Sequence, residues 1–332
     1  MEGNKKQKQM LATLVGCNYA GTPHELRGCI NDVLAMRDTL VALFGFAPGD
    51  ITVLTDDRVD AGVLIPTGAN IKRALSDMVS RAAPGDVLFF HYSGHGTLVP
   101  RRRHGHGQYD EAIVPCDFNL ITDVDFRQLV DRVPEGATFT MVSDSCHSGG
   151  LIDQEKEQIG PSSGDGGDDG LAAARGRRRF LPYAAVVGHL AGASGVDASH
   201  HVADHLLALF GADASAKFHH RHDAPAPPRP DGGILLSGCQ TDETSEDVAA
   251  DDDAAEGGKA CGAFSSAVQA VLAAHPAAAV SNRELVRQAK EVLAEQGFEQ
   301  HPCLYCSDAN ADAPFLGHQD DKLKPAATMP AL

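Results

Sequence analysis

The chain alternates between short apolar runs and segments with helical periodicity. Leu11 to Gly16 is a continuous apolar run, which predicts a buried strand, and Gly28 to Phe44 places Ile30, Val33, Leu34, Leu40, Val41 and Phe44 on one helical face. The pattern repeats with a strand at Ile51 to Leu54, a helix at Asn70 to Arg81 carrying Ile71, Leu75, Met78 and Val79, and a strand at Asp86 to Tyr92. After a loop come a helix from Asp123 to Val133 and an apolar run, Thr138 to Val142, that ends in Ser143-Asp144-Ser145-Cys146. Strands alternating with helices predict an α/β fold with a mainly parallel, helix-flanked sheet.

From about Gln154 to Gly233 the character changes. Ser162 to Gly170 is rich in Gly, Ser and Asp, Arg175 to Arg179 is basic, and Ala224 to Pro230 is Pro-rich. This reads as a linker, with apolar stretches at Tyr183 to Leu190 and Leu206 to Phe210 that predict short helices docked on the body. Regular patterning resumes with a strand at Ile234 to Ser237 and helices at Ala263 to Ala274 and Asn282 to Gln296. The organisation predicted is an N-terminal half over 1–153, a linker over 154–233, a C-terminal half over 234–318 that completes the sheet, and a tail over 319–332.

The 332 residues suffice for a substantial core. Aromatic residues make up 5% with no Trp, and 28 basic against 45 acidic side chains give a net charge of −17. That balance repels nucleic acid, offers few stacking platforms for its bases, and favours cations or basic peptides. Met1 to Gln9 is polar and no apolar segment approaches the roughly 18 residues of a membrane span. The eight cysteines are irregularly spaced, so reduced thiols and a cytoplasmic location are expected.

Two apolar strands end in reactive side chains: Phe90-His91-Tyr92-Ser93-Gly94-His95-Gly96 and Val142-Ser143-Asp144-Ser145-Cys146-His147-Ser148-Gly149-Gly150. Sites in parallel sheets lie beyond the carboxyl ends of the strands. Each strand has glycines at its exit, which permit sharp turns and close approach of a substrate to backbone N–H groups. A thiol beside an imidazole becomes a nucleophile once it loses its proton, and backbone N–H groups stabilise the oxyanion that follows. The natural reaction is acyl transfer on an amide. A loop histidine and a buried core thiol are the alternative reading of the same residues.

Together these two segments resemble the paired catalytic motifs of metacaspases. The resemblance extends to Gly28-Cys29-Ile30-Asn31-Asp32 and to Gly238-Cys239-Gln240-Thr241-Asp242-Glu243-Thr244-Ser245. The long linker, Leu181-Pro182 and the ending from His301-Pro302 to Ser307-Asp308 look like the type II subfamily of plants and green algae. The resemblance implies a caspase-like fold and a monomeric cysteine endopeptidase that cleaves proteins after Arg or Lys, with Cys146 as nucleophile and His95 as proton-transfer partner. It also implies a basic-residue pocket of Cys29, Asp32, Ser93 and Asp144, with Asp32 and Asp144 supplying the charge. Spacing is compatible with this: Asp144 and Cys146, like Ser93 and His95, are two residues apart and lean to one face of a strand.

The same resemblance implies calcium as an activator, with Asp110, Asp123, Asp125 and Asp153 matching the family's metal-binding carboxylates; calcium's implied role is to favour movement of the linker away from the dyad. Two departures point to weaker or altered dependence: Val124 interrupts an acidic stretch, and Arg101-Arg102-Arg103-His104 occupies a loop that is often acidic. Self-cleavage in the linker is implied too, with Arg179 at the best-matching position and Lys217 and Arg221 as secondary candidates in the same linker. A tethered segment of this kind is presented at high effective concentration. The basic run also admits a nuclear-localisation or solvated-patch reading. The linker histidines His189, His200, His201, His205, His219, His220 and His222 lack zinc-site spacing, and Cys303 and Cys306 read as structural or redox-susceptible thiols. Two other functions stay in view: a non-catalytic scaffold binding calcium or basic peptides, and an asparaginyl-type peptidase of the same clan. The paired carboxylates argue against the latter.

Overall fold

The computed structural model describes residues 8–57, 64–101, 109–146, 150–152, 156–160, 176–219, 233–239, 246–248, 260–275 and 280–317. The N-terminal part forms β1 (Met10–Gly16), α1 (Cys29–Phe44), β2 (Ile51–Thr55), α2 (Gly68–Arg81) and β3 (Val87–Ser93). Next come β4 (Gly96–Pro100), β5 (Tyr109–Ile113), β6 (Ile121–Thr122), α3 (Asp123–Val130) and β7 (Thr138–Asp144). The linker contributes β8 (Glu157–Ile159), β9 (Gly176–Arg178), α4 (Tyr183–Ser194) and α5 (Val202–Phe210). The remainder is β10 (Ile234–Ser237), β11 (Glu246–Val248), β12 (Cys261–Gly262), α6 (Ala263–Ala274), α7 (Asn282–Glu295), β13 (Cys303–Tyr305) and α8 (Asp308–Asp312).

A seven-stranded sheet runs in the order β2-β1-β3-β7-β10-β13-β8. The first five strands are parallel to their neighbours, and β13 and β8 close the edge antiparallel. Alternate side chains of the central strands feed two cores, as the two-residue period of a strand requires. Leu88, Phe90 and Tyr92 of β3 pack with α2, α3, α4 and α5, whereas Val87 and Phe89 pack with α1, α6 and α7. The linker helices are therefore part of the body: Val186, Val187, Leu190, Val202 and Leu206 are buried in the first core.

The α/β expectation and the main elements hold, with small shifts at the ends. Helix α2 begins two residues early, at Gly68, because the Thr67 side chain caps it by accepting from Asn70 N–H at 3.2 Å. Two expectations fail. The buried face of α1 is Cys29, Asp32, Val33, Met36 and Leu40, whereas Val41 is exposed and Ile30, Leu34 and Phe44 are half-buried, because Val33, Met36 and Leu40 are the positions that pack into the second core. The segment after His95 is not simply a loop but a separate antiparallel sheet, β4-β5-β6. Its alternation is masked in sequence because buried positions of β5 include Asp110 and Glu111.

Candidate functional site

His95 and Cys146, the expected catalytic pair, come together through strand register. β3 and β7 are parallel neighbours with Ser93 opposite Asp144, so His95 and Cys146, each two residues further on, leave adjacent strand ends side by side. The fit is close enough that a Cβ on Gly96 would overlap the Cys146 carbonyl oxygen. Both residues are buried.

The backbone of His95 is clamped by two tyrosine hydroxyls. His95 N–H donates to Tyr19 Oη at 2.9 Å, Tyr92 Oη donates to the His95 carbonyl at 2.9 Å, and the two hydroxyls lie 3.1 Å apart. Burial pushes both tyrosines well above the ordinary phenol range, so they act as neutral hydrogen-bonding groups. The imidazole lies over the Tyr19 ring, with centroids 4.7 Å apart. Its Nε2 bonds the His24 carbonyl at 2.8 Å; a carbonyl only accepts, so Nε2 carries the proton and the neutral ring keeps its lone pair on Nδ1. Burial lowers the His95 pKa to about 4, against the raising effect of the His24 carbonyl and the nearby Arg179 backbone. The ring is thus a neutral base across the physiological range.

A second cluster sits on the α1–α6 face of the same strand ends, around Arg179. This linker side chain is fully buried and ion-paired to Asp32 at 2.8 Å and to Asp144 at 3.2 Å. Arg179 Nη1 also donates to Ser93 Oγ at 2.7 Å and to the Asp144 carbonyl at 3.0 Å. Ser93 Oγ in turn donates to Asp32 Oδ2 at 2.7 Å. The carboxylates are held from behind by the C-terminal half: Gly262 N–H donates to Asp32 and Ser265 N–H, in the first turn of α6, to Asp144, each at 2.8 Å. Burial pushes Asp32 up to about 6, with Arg179 opposing and the second carboxylate, Asp144, adding to the rise.

The backbone from Arg179 to Leu181 pairs with Gly96, next to His95. Gly96 N–H donates to the Arg179 carbonyl oxygen at 2.9 Å, Leu181 N–H donates to the Gly96 carbonyl at 2.9 Å, and Phe180 bridges Gly96 in parallel register. The Arg179 carbonyl thus meets a backbone N–H next to His95.

A scan against family models matches the Caspase domain family over residues 9–314. Metacaspase-9 of Arabidopsis thaliana is 52% identical over 93% of this chain and 97% of its own length, and Metacaspase-6 of the same plant is 37% identical over 92% and 99%. The chain belongs to the metacaspases. It is therefore a cysteine peptidase, a hydrolase of peptide bonds. Among solved structures, protein GSU0716 from Geobacter sulfurreducens aligns with a TM-score of 0.61 at 19% identity, covering 93% of this chain and 98% of that one. This likeness supports the caspase-like fold of the metacaspase chain.

The other sequence expectations distribute as follows. Cys29 is buried at the first position of α1, one turn before Asp32. Asp110 and Asp123 converge, but on the Lys217 ammonium, at 2.6 and 3.0 Å. Asp125 accepts from Thr122 N–H and Ala216 N–H. Asp153 and Arg221 lie outside the described residues, as do Arg102, Arg103 and His104 of the basic loop. Among the described residues no three His, Cys, Asp or Glu side chains group to hold a metal ion. Of the linker histidines, His220 and His222 lie outside the described residues; His189 stacks on Phe118, His201 meets the Pro100 carbonyl, and His205 bonds Ser194. Cys303 and Cys306 are buried. No helix among the described residues is long and apolar enough to cross a membrane.

Sequence reasoning missed His24, Tyr19, Gly262 and Ser265. His24 acts through its backbone carbonyl, which leaves no trace in residue type. Gly262 and Ser265 lie outside the quoted motifs. Tyr92 stood within the His95 motif, and its alternation with His91 and Ser93 put it on the opposite, tyrosine-lined face.

Proposed function

We propose that this metacaspase is an endopeptidase cleaving after Arg or Lys through the Cys146–His95 pair, and that its first substrate is its own linker at Arg179. The observation that carries the reading is the buried Arg179 guanidinium between Asp32 and Asp144, joined to a carbonyl bonded by Gly96 N–H. Cys146 gives its proton to His95 Nδ1, and the thiolate attacks the Arg179 carbonyl carbon. Gly96 N–H receives the negative charge that develops on the oxygen. The His95 imidazolium protonates the departing Phe180 amine, and water then hydrolyses the thioester, returning the thiol.

Burying a guanidinium or ammonium is costly unless it is paired. Two carboxylates with a bridging serine supply that pairing, while an Asn or Asp side chain would leave them unmatched. The pocket therefore supports P1 Arg, then Lys, over the asparaginyl alternative, and the intact dyad opposes the scaffold alternative. Type II membership is supported by length: the chain spans 97% of Metacaspase-9 but 61% of Metacaspase-1 from Yarrowia lipolytica. The expected state is a monomer acting on protein substrates in the cytoplasm, with no nucleic-acid partner.

Fluorogenic peptides differing only at P1 test the reading. Turnover of Arg and Lys peptides by the wild type, lost in Cys146→Ala, is the expected outcome. Turnover of Asn or Asp peptides, or Arg cleavage that survives Cys146→Ala, overturns it.

A further inference from the structure

Two of the four carboxylates at which the family resemblance implies calcium, Asp110 and Asp123, are engaged by an ammonium. Lys217 Nζ lies 2.6 Å from Asp110 Oδ2 and 3.0 Å from Asp123 Oδ1. The other Asp110 oxygen pairs with Arg101 Nε. Among the described residues two cations thus face two carboxylates, both largely buried, so the pair's charge is compensated and offers little to draw a divalent ion. Asp125 is committed as well: Oδ2 accepts from Thr122 and Oδ1 from Ala216 N–H at 3.0 Å. Among the described residues the donor set, so arranged, does not fit a metal.

Lys217 is delivered by a built contact. The short 3-10 turn Ala216–Phe218 follows Ser215, whose buried hydroxyl meets Thr122 Oγ1 at 2.8 Å, and the Ala216 amide is tied to Asp125. Thr122 caps α3, and Asp123 and Asp125 lie in its first turn. The linker turn therefore grips the start of α3 through backbone and side chain alike. The Lys217 side chain remains 18% exposed, so it has a path back to water.

We propose that Lys217 is the resident cation of the Asp110–Asp123 pair, and that docking of the Ser215–Phe218 turn and binding of a divalent cation at this pair exclude one another. The pair is then a second basic-side-chain receptor in the same chain, separate from the pocket that holds Arg179. It also keeps Lys217 from serving as a cleavage residue while the turn is docked. The claim requires no step of peptide hydrolysis, so its failure and that of the peptidase reading are distinguishable.

The test uses the full-length Cys146→Ala protein, which the peptidase reading makes inert to self-cleavage, with calcium chloride as probe. Calorimetry compares it with the same protein carrying Lys217→Met, and with Lys217→Met plus Asp123→Asn as a control. The expected result is one calcium site in the Lys217→Met protein, at least about tenfold tighter than in the Lys217 parent and lost with Asp123→Asn. In the parent, hydrogen exchange at residues 215–219 should accelerate as calcium is added to saturation. Equal calcium affinity with and without Lys217, no binding by the Lys217→Met protein, or calcium bound to the parent with the 215–219 amides still protected would each overturn the proposal.

Discussion

At the scale of single residues, the basic-residue pocket is defined as much by what is missing as by what is present. A Cβ at Gly262 would lie 2.5 and 2.6 Å from the two terminal nitrogens of Arg179, and would also overlap Asp144 Oδ2. Gly262→Ala should therefore lower kcat/KM for Arg substrates by about 10- to 100-fold, the equivalent of an overpacking cost of roughly 1–3 kcal/mol. Lys substrates should lose less, because their head is a single nitrogen; parallel kcat/KM measurements on Arg and Lys peptides read the ratio. Asp32 makes a second prediction. Its pKa of about 6 exceeds the ordinary 3.8, so between about pH 4 and 6 the folded chain binds a proton that the unfolded chain does not. Stability from this group is greatest at the acid end of that window and falls as pH rises through about 6. His95 and His91, lowered to about 4 and about 3, act in the opposite sense, adding stability as pH rises toward 6.5. In a Cys146→Ala background, Asp32→Asn should make stability rise more steeply with pH, by on the order of 1–3 kcal/mol between pH 4.5 and 7.5. Urea unfolding at several pH values measures that slope.

At the scale of elements, the central strands were legible because their side chains are buried on both faces, giving apolar runs at Leu11–Gly16, Asp86–Tyr92 and Thr138–Val142. The dyad was legible for a related reason, since each of its members follows such a run. The β4-β5-β6 sheet was not, because in β5 charged residues occupy buried positions through ion pairs and hydrogen bonds that join distant segments, such as Asp110 with Lys217 and Glu111 with Gly150. The α6 contribution was hidden for the same reason: a main-chain N–H from Ser265 reaches Asp144 across 121 residues. The linker's composition reads as a tether with docked short helices, and α4 and α5 do carry core residues. Cleavage at Arg179 should therefore leave the two fragments together, held by the β7–β10 pairing and the buried faces of α4 and α5. Cleaved protein should elute at the volume of the intact chain in native gel filtration and separate only in denaturant. Two native peaks would contradict this.

At the scale of the whole molecule, the site is assembled from three parts of the chain. The N-terminal half supplies Cys146, His95 and the paired carboxylates, the C-terminal half orients those carboxylates through Gly262 and Ser265, and the linker inserts Arg179 between them. Two of the acidic side chains, Asp32 and Asp144, line a buried pocket that holds one basic side chain. The same segment that fills the pocket places its carbonyl on Gly96 N–H, so under the proposed self-cleavage occupancy of the pocket and presentation of the bond are one geometry. The most direct measurement is intact mass spectrometry of the freshly purified chain during incubation, wild type beside Cys146→Ala. The account predicts a new C-terminus at Arg179 and a new N-terminus at Phe180 in the wild type, with the Cys146→Ala chain remaining whole. Cleavage at Arg179 in the Cys146→Ala chain, or a wild-type chain that turns over Arg peptides while its Arg179–Phe180 bond stays intact, would contradict it.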